Sequence, residues 1–316
     1  MGLRPPYKLI DKKLREGTVV PFLGAGVNIR SAPFDSSGPQ LPTGGQLARK
    51  LAELVSFPSD DDHDVQDLSK VASYLVETSA RSTLRDELRA VFFGEAQPGP
   101  IHRYLASIDK PLLIVTTNYD DNMERALQDV GRPFDVVVHP TDRKDYEASV
   151  FWWRAGQPVP EPPIAPNKLL IDLAATTVVY KMHGTMHRPD AQWDSYVVTE
   201  DDYVEFLSRM AGQSAIPHQF IRHFRPRHFL FLGYGLRDWN LRVLLRSLSQ
   251  PGIAGGVPRT GESPPEEPAE RVKSWAIQFR PSAIEGALWS ARDVNIFDEA
   301  IDEFASAITG TPPKAP

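Results

Sequence analysis

Four short blocks in this 316-residue chain carry side chains able to do chemistry. Gly24-Ala25-Gly26-Val27-Asn28 follows the apolar run from Thr18 to Leu23. Glycines after a buried strand let the backbone approach a ligand closely, and a helix start beyond them offers amide donors and a positive dipole end to a pyrophosphate. The same residues also fit a tight strand–helix turn with no ligand. Ile29 stands where a dinucleotide fingerprint has its third glycine, and no acid at the end of a second strand offers itself for an adenosine ribose. In Thr117-Asn118-Tyr119-Asp120, the Asn118 amide can orient a water or a sugar hydroxyl, and Asp120 can face a cationic ring or simply cap the next helix. His183, before Gly184, is a general base near neutral pH or a hydrogen-bonded structural residue. Gly233-Tyr234-Gly235 fits a phosphate or ribose contact, with Asp238 as the cap of the following helix. No metal is expected: Gly184 interrupts any helix joining His183 to His187, and no Cys or HExxH partner exists.

Each block ends an apolar run that reads as a buried strand: Thr18–Leu23, Leu112–Thr116, Thr177–Tyr180 and Phe229–Leu232. Further strands are expected at 136–138, 275–279 and 294–297. Helices are expected from a Thr43 cap to about Phe57, over 65–91, from Asp120 to Val130, after Gly235 to Leu248, and over 298–308. Strands alternating with helices predict an α/β, Rossmann-like, mainly parallel sheet with helices on both faces. One domain over 1–316 is expected, with a mainly helical insertion at 31–105 and loop excursions at 141–168 and 250–272. In such sheets ligands sit beyond the strand C-termini, where all four blocks would meet.

Composition narrows the classes. The chain has no Cys, which removes disulfides, thiolate nucleophiles and Cys-ligated zinc. Thirty-five Lys+Arg against 41 Asp+Glu give a net charge of −6, which disfavours direct nucleic-acid binding. No apolar run approaches the ~20 residues that cross a bilayer, and Met1 to Lys13 lacks the apolar core of a secretory signal. A cytoplasmic protein with no membrane partner is expected.

In this order the four blocks resemble the Sir2-like family over roughly residues 16–308. Gly24-Ala25-Gly26-Val27-Asn28 matches its GAG-x-S turn, Thr117-Asn118-Tyr119-Asp120 its [TQ]-N-x-D block, His183-Gly184 its HG, and Gly233-Tyr234-Gly235 its later glycine turn. The resemblance implies that NAD is bound as substrate and cleaved between nicotinamide and ribose. Asn118 would position the attacking water or the ribose hydroxyls, and His183 would act as base. Asp120 would contact the nicotinamide amide, the turn from Gly24 to Asn28 the pyrophosphate and ribose, and Gly233 to Gly235 the adenosine side. Two departures matter: Asn28 replaces the family's Ser, and the cysteine zinc module of its deacetylases is missing, which removes the acyl-lysine groove but not hydrolysis by water. Zinc-less bacterial members resemble anti-phage effectors that destroy cellular NAD. That implies an NAD+ hydrolase giving nicotinamide and ADP-ribose, kept silent until triggered by a separate ATPase or nucleic-acid-guided sensor protein, and working as a homo-oligomer. ADP-ribosyl transfer or cyclisation, and a non-catalytic module binding NAD or ADP-ribose, are the alternative readings.

Overall fold

The computed structural model describes residues 3–30, 40–146, 149–211, 216–234 and 273–310. Among the described residues ten short strands form in chain order: β1 (Val19–Leu23), β2 (Leu113–Thr116), β3 (Phe134–Val138), β4 (Phe151–Trp153), β5 (Thr177–Lys181), β6 (Gly184–Thr185), β7 (Ser195–Tyr196), β8 (His228–Leu232), β9 (Ser274–Gln278) and β10 (Val294–Asp298). Eight of them make one sheet in the order β10-β9-β8-β1-β2-β5-β3-β4, while β6 and β7 pair as a small hairpin. All neighbours in the large sheet are parallel except β4, which runs antiparallel on β3 at the edge.

Side chains alternate between the two faces, as a strand's twofold period requires. Val20 and Phe22 of β1, Val178 and Tyr180 of β5, and Phe229 and Phe231 of β8 enter one core. Val19 and Leu23, Val179, and Leu230 and Leu232 enter the other. With both faces covered, these strands read as unbroken apolar runs, which is why they were visible in the sequence. Pro21 sits in a central strand because its missing N–H falls where no ladder bond is needed. Even-numbered residues of β1 face β8, as the Gly24 N–H to Leu232 carbonyl bond shows, and pairing with β2 starts only at Phe22.

On the first face lie α8 (Glu200–Ala211), α9 (His218–Phe224) and the helix Ala283–Ser290, which contribute Phe206, Phe220, Phe224 and Trp289. On the second lie α1 (Tyr7–Arg15), α6 (Pro100–Ala106), α7 (Asn122–Asp129) and the helix Ile301–Thr309. Between β1 and β2 the chain makes α2 (Gly44–Leu54), α3 (Asp62–Val65), α4 (Leu68–Thr78) and α5 (Arg81–Phe92). Leu47, Leu51, Val71, Leu75, Leu84 and Leu88 give α2, α4 and α5 a core of their own. Thr43 caps α2 as its type predicts, in a reciprocal capping box with Gln46. The expected insertion at 31–105 therefore divides: α2 to α5 form the separate helical layer, and α6 joins the sheet.

One expectation needs correction. The stretch 141–168, read as a loop excursion, contains β4. Three aromatics are too few to show alternation, yet Trp152 enters the first-face core while Phe151 and Trp153 pack with Tyr146 and Trp193. The expected helix after Gly235 and the excursion at 250–272 lie outside the described residues.

Candidate functional site

The order β8-β1-β2-β5 sets the ends of the four block-bearing strands side by side, at the C-terminal edge of a parallel sheet whose connections diverge from β1. The ladder continues past the strand ends. Gly24 donates its N–H to the Leu232 carbonyl (3.0 Å), Gly26 to Gly233 (2.8 Å), Thr117 to Leu23 (3.2 Å) and Met182 to Thr116 (2.9 Å).

The two glycine turns pack back to back. A Cβ on Gly24 or Gly26 would lie 2.7 Å from the Gly233 carbonyl oxygen, and one on Gly233, whose φ is +60°, would lie 2.3 Å from the Val27 nitrogen. These glycines are required first by each other. Ala25 to Asn28 form a single 3-10 turn. Tyr234 turns its ring into the core, edge-on to Phe22 at 5.6 Å, so only its backbone stands at the strand edge. Gly235 lies outside the described residues.

Asn118 and His183 leave adjacent strands at the same height, each two residues beyond the last paired position, Thr116 opposite Lys181. Asn118 is anchored twice: its N–H donates to Thr116 Oγ1 (3.0 Å) and its Nδ2 to the Gly24 carbonyl (3.1 Å). Its Oδ1 meets no donor among the described residues and remains an acceptor at the sheet edge.

Behind Asn118, three side chains close a buried ring of hydrogen bonds. Asn28 Nδ2 donates to Asp120 Oδ2 (2.9 Å), Asn122 Nδ2 donates to Asn28 Oδ1 (2.9 Å), and the Asn122 N–H donates to Asp120 Oδ1 (3.0 Å). Asp120 thus accepts from the first residue of α7, whose N-cap is Asp121, and is fastened to the first glycine turn. Asn28 spends its amide on this ring, which a serine hydroxyl could not span in the same way. Beneath lies Lys181, fully buried, whose ammonium donates to the Asp120 carbonyl and to Glu124 Oε1 (2.9 Å). Burial pushes the Glu124 carboxyl up against the opposing pull of Lys181. His102 of α6 is also buried here. Desolvation pulls its imidazole down to about 4 despite the nearby Asp120 charge, and its Nδ1 accepts from the Gly99 N–H (3.0 Å). It is therefore neutral with its proton on Nε2.

His183 is 3% exposed, with its ring edge-on to Phe206 (5.1 Å) and Tyr203 (5.8 Å) of α8. Its carbonyl accepts from the Val197 N–H (3.0 Å), and Gly184 starts the β6–β7 hairpin. The helical layer grips this hairpin through Arg81. Its guanidinium pairs with Asp202 Oδ1 (2.9 Å) and Asp142 Oδ2 (3.2 Å) and donates to the Tyr196 carbonyl (3.1 Å). Arg89 pairs with the buried Asp194 (2.6 Å) in parallel. Arg81→Ala strands two largely buried carboxylates and is expected to cost about 3 kcal/mol of stability, read as a lowered urea midpoint. Burial holds the Asp142 carboxyl above its ordinary range. With Arg81 gone, the folded form binds more protons than the unfolded one, so the deficit should shrink as pH falls.

The structure thus brings Gly24, Ala25, Gly26, Asn28, Thr117, Asn118, Asp120, His183, Gly233 and the Tyr234 backbone to one edge. Sequence reasoning passed over Asn122, His102 and His139. Asn122 stands two residues after Asp120, the spacing of a helix-start turn. His139 directly follows a valine strand, the same signal that singled out His183. Among the described residues no group of three His, Asp or Glu is placed to hold a metal ion, and no helix is long and apolar enough to cross a membrane.

In a doubly wound α/β sheet the switch point is where ligands are held, and here it carries glycine turns, an amide and an imidazole. Residues 112–256 match the model of the SIR2-like domain. It is 27% identical over 238 residues to the NAD(+) hydrolase ThsA of Acinetobacter baumannii, and 25% identical over 236 residues to the ThsA of Cytobacillus dafuensis. It is 22% identical over 239 residues to defense-associated sirtuin 2 of Bacillus subtilis. These matches cover 75%, 74% and 75% of this chain but only 40%, 38% and 20% of the respective relatives.

Proposed function

We propose that the protein hydrolyses NAD+ at the nicotinamide–ribose bond, giving nicotinamide, ADP-ribose and a proton. The observation that carries this reading is that Asn118 and His183 follow adjacent strands at the same height, beside the paired glycine turns, supported by relatives named as NAD(+) hydrolases. As nicotinamide departs, positive charge develops on the ribose anomeric carbon, and the site must stabilise that charge and aim a water at it. Asn118 Oδ1 accepts from the attacking water or a ribose hydroxyl, and His183 takes the proton released. Asp120 meets the nicotinamide amide: each of its carboxylate oxygens accepts one protein donor and keeps a second acceptor site. The turn from Gly24 to Asn28 lies against the pyrophosphate and near ribose, and Gly233 to Gly235 against the adenosine half.

We place the chain in an anti-phage defence system, as an effector that depletes NAD on a signal from a separate sensor protein, working in the cytoplasm and as a homo-oligomer. The name of the Bacillus subtilis relative supports the defence setting. Incubation with NAD+, alone and with the product of the neighbouring gene, followed by chromatography, tests the activity. Nicotinamide and ADP-ribose in equal amounts are expected. A cyclic product, an ADP-ribosylated acceptor, or intact NAD under every condition would replace this reading.

A further inference from the structure

His139 has no role in the reaction drawn so far, yet it is a costly residue to hold. It is fully buried directly after β3, where its N–H donates to the Lys181 carbonyl (3.1 Å), and neither ring nitrogen has a hydrogen-bond partner among the described residues. Leaving buried polar atoms unpaired costs about 1–3 kcal/mol per group, so a phenylalanine would fill this space more cheaply if filling were all that mattered. Its ring stands edge-on to Phe206 at 5.8 Å, and His183 stands edge-on to the same Phe206 at 5.1 Å.

We propose that His139 is a positioning residue for the reaction: an uncharged imidazole beside His183 that stabilises the imidazolium formed when His183 takes its proton. This rests on the reading of His183 as the base. In the step, a proton passes from the water or ribose O–H to His183, and His139 neither gains nor loses one. Two neighbouring imidazoles resist carrying charge together, so one must stay neutral. The deeper one does: burial, the Arg209 guanidinium and His183 itself pull His139 down to about 3. Charged and titratable groups flank the pair on several described elements. From α8 come Tyr203 and Arg209, the latter paired with Glu205 (2.6 Å). From β5 comes Lys181, committed to Glu124 and the Asp120 carbonyl, and past β3 comes Asp142, paired with Arg81. A neutral ring sharing Phe206 with His183 therefore sets the cost of charging His183.

His139→Phe keeps the edge-on contact with Phe206 and removes both nitrogens, whereas His139→Gln restores a donor and an acceptor. Turnover of NAD+ by the full chain, with whatever partner proves necessary, should fall about tenfold in kcat for the Phe variant with KM unchanged, a loss of transition-state stabilisation alone. The acid limb of its pH profile should move to lower pH, because the His183 imidazolium has lost a stabilising neighbour. The Gln variant should recover most of the rate. An unchanged kcat and acid limb in His139→Phe would overturn the proposal. Should the wild-type chain fail to consume NAD+, the hydrolase reading falls separately. The inference is then decided by 15N-imidazole NMR titration of His183, where His139→Phe must lower the His183 titration midpoint and an identical curve refutes it.

Discussion

Replacing Asn118 with alanine is expected to lower NAD+ turnover by at least about a hundredfold, the usual loss when one preorganised polar group is removed from a developing charge. The reason is geometric. Two anchors, from the Thr116 hydroxyl and the Gly24 carbonyl, leave Asn118 Oδ1 as the part of the amide not already committed to the protein. Alanine loses that acceptor. Stability should fall by only about 1 kcal/mol, the worth of one buried hydrogen bond, so a folded but inactive variant is expected. His183→Ala should cost a similar factor through loss of the base. The double variant should be little worse than either single one, because both groups act on the same water or hydroxyl. Product release by chromatography and melting by scanning calorimetry separate the two effects. Full turnover by either single variant would remove that residue from the mechanism.

Legibility in the sequence followed burial. β1, β2, β5 and β8 are covered on both faces, so each is an apolar run that announces itself, and the polar or glycine residue ending it is conspicuous. β4 is three residues long, and β6 and β7 two each, too short for any period to emerge. The glycine turns were visible, but not their reason. Gly24 and Gly233 are 209 positions apart, and only the neighbouring of β1 and β8 reveals that each excludes a side chain on the other. Asn28 presents the same problem. In sequence it is a departure from the motif the turn resembles, and in the fold it is the middle of a ring joining Asp120 to Asn122. Long-range polar partnerships such as Arg81 with Asp142 and Asp202 leave no local trace either, since any surface helix carries arginines.

Gly184→Ala should be among the most damaging single substitutions in the chain, although Gly184 does no chemistry. Its φ is +92°, and a Cβ there would lie 2.0 Å from the Ser195 carbonyl oxygen and 2.9 Å from the Tyr196 nitrogen. Both neighbours are backbone atoms of β7, the strand that pairs with it, so no side chain can swing aside. Backbone strain of about 1–2 kcal/mol adds to overpacking of about 1–3 kcal/mol, giving roughly 3 kcal/mol or more. At about 2–4 °C per kcal/mol for a domain of this order, the melting temperature should fall by about 6 °C or more. The hairpin can relieve the clash only by opening. That displaces Tyr196 from Arg81 and pulls Val197 from the His183 carbonyl, so His183 would lose its register with Asn118. Gly44→Ala is the control: a Cβ there meets nothing within 4 Å in the first turn of α2, and alanine favours a helix. The prediction is that Gly44→Ala melts at or slightly above the parent temperature with full activity, while Gly184→Ala loses both. Equal melting of the two variants would mean that the hairpin does not fix the height of His183.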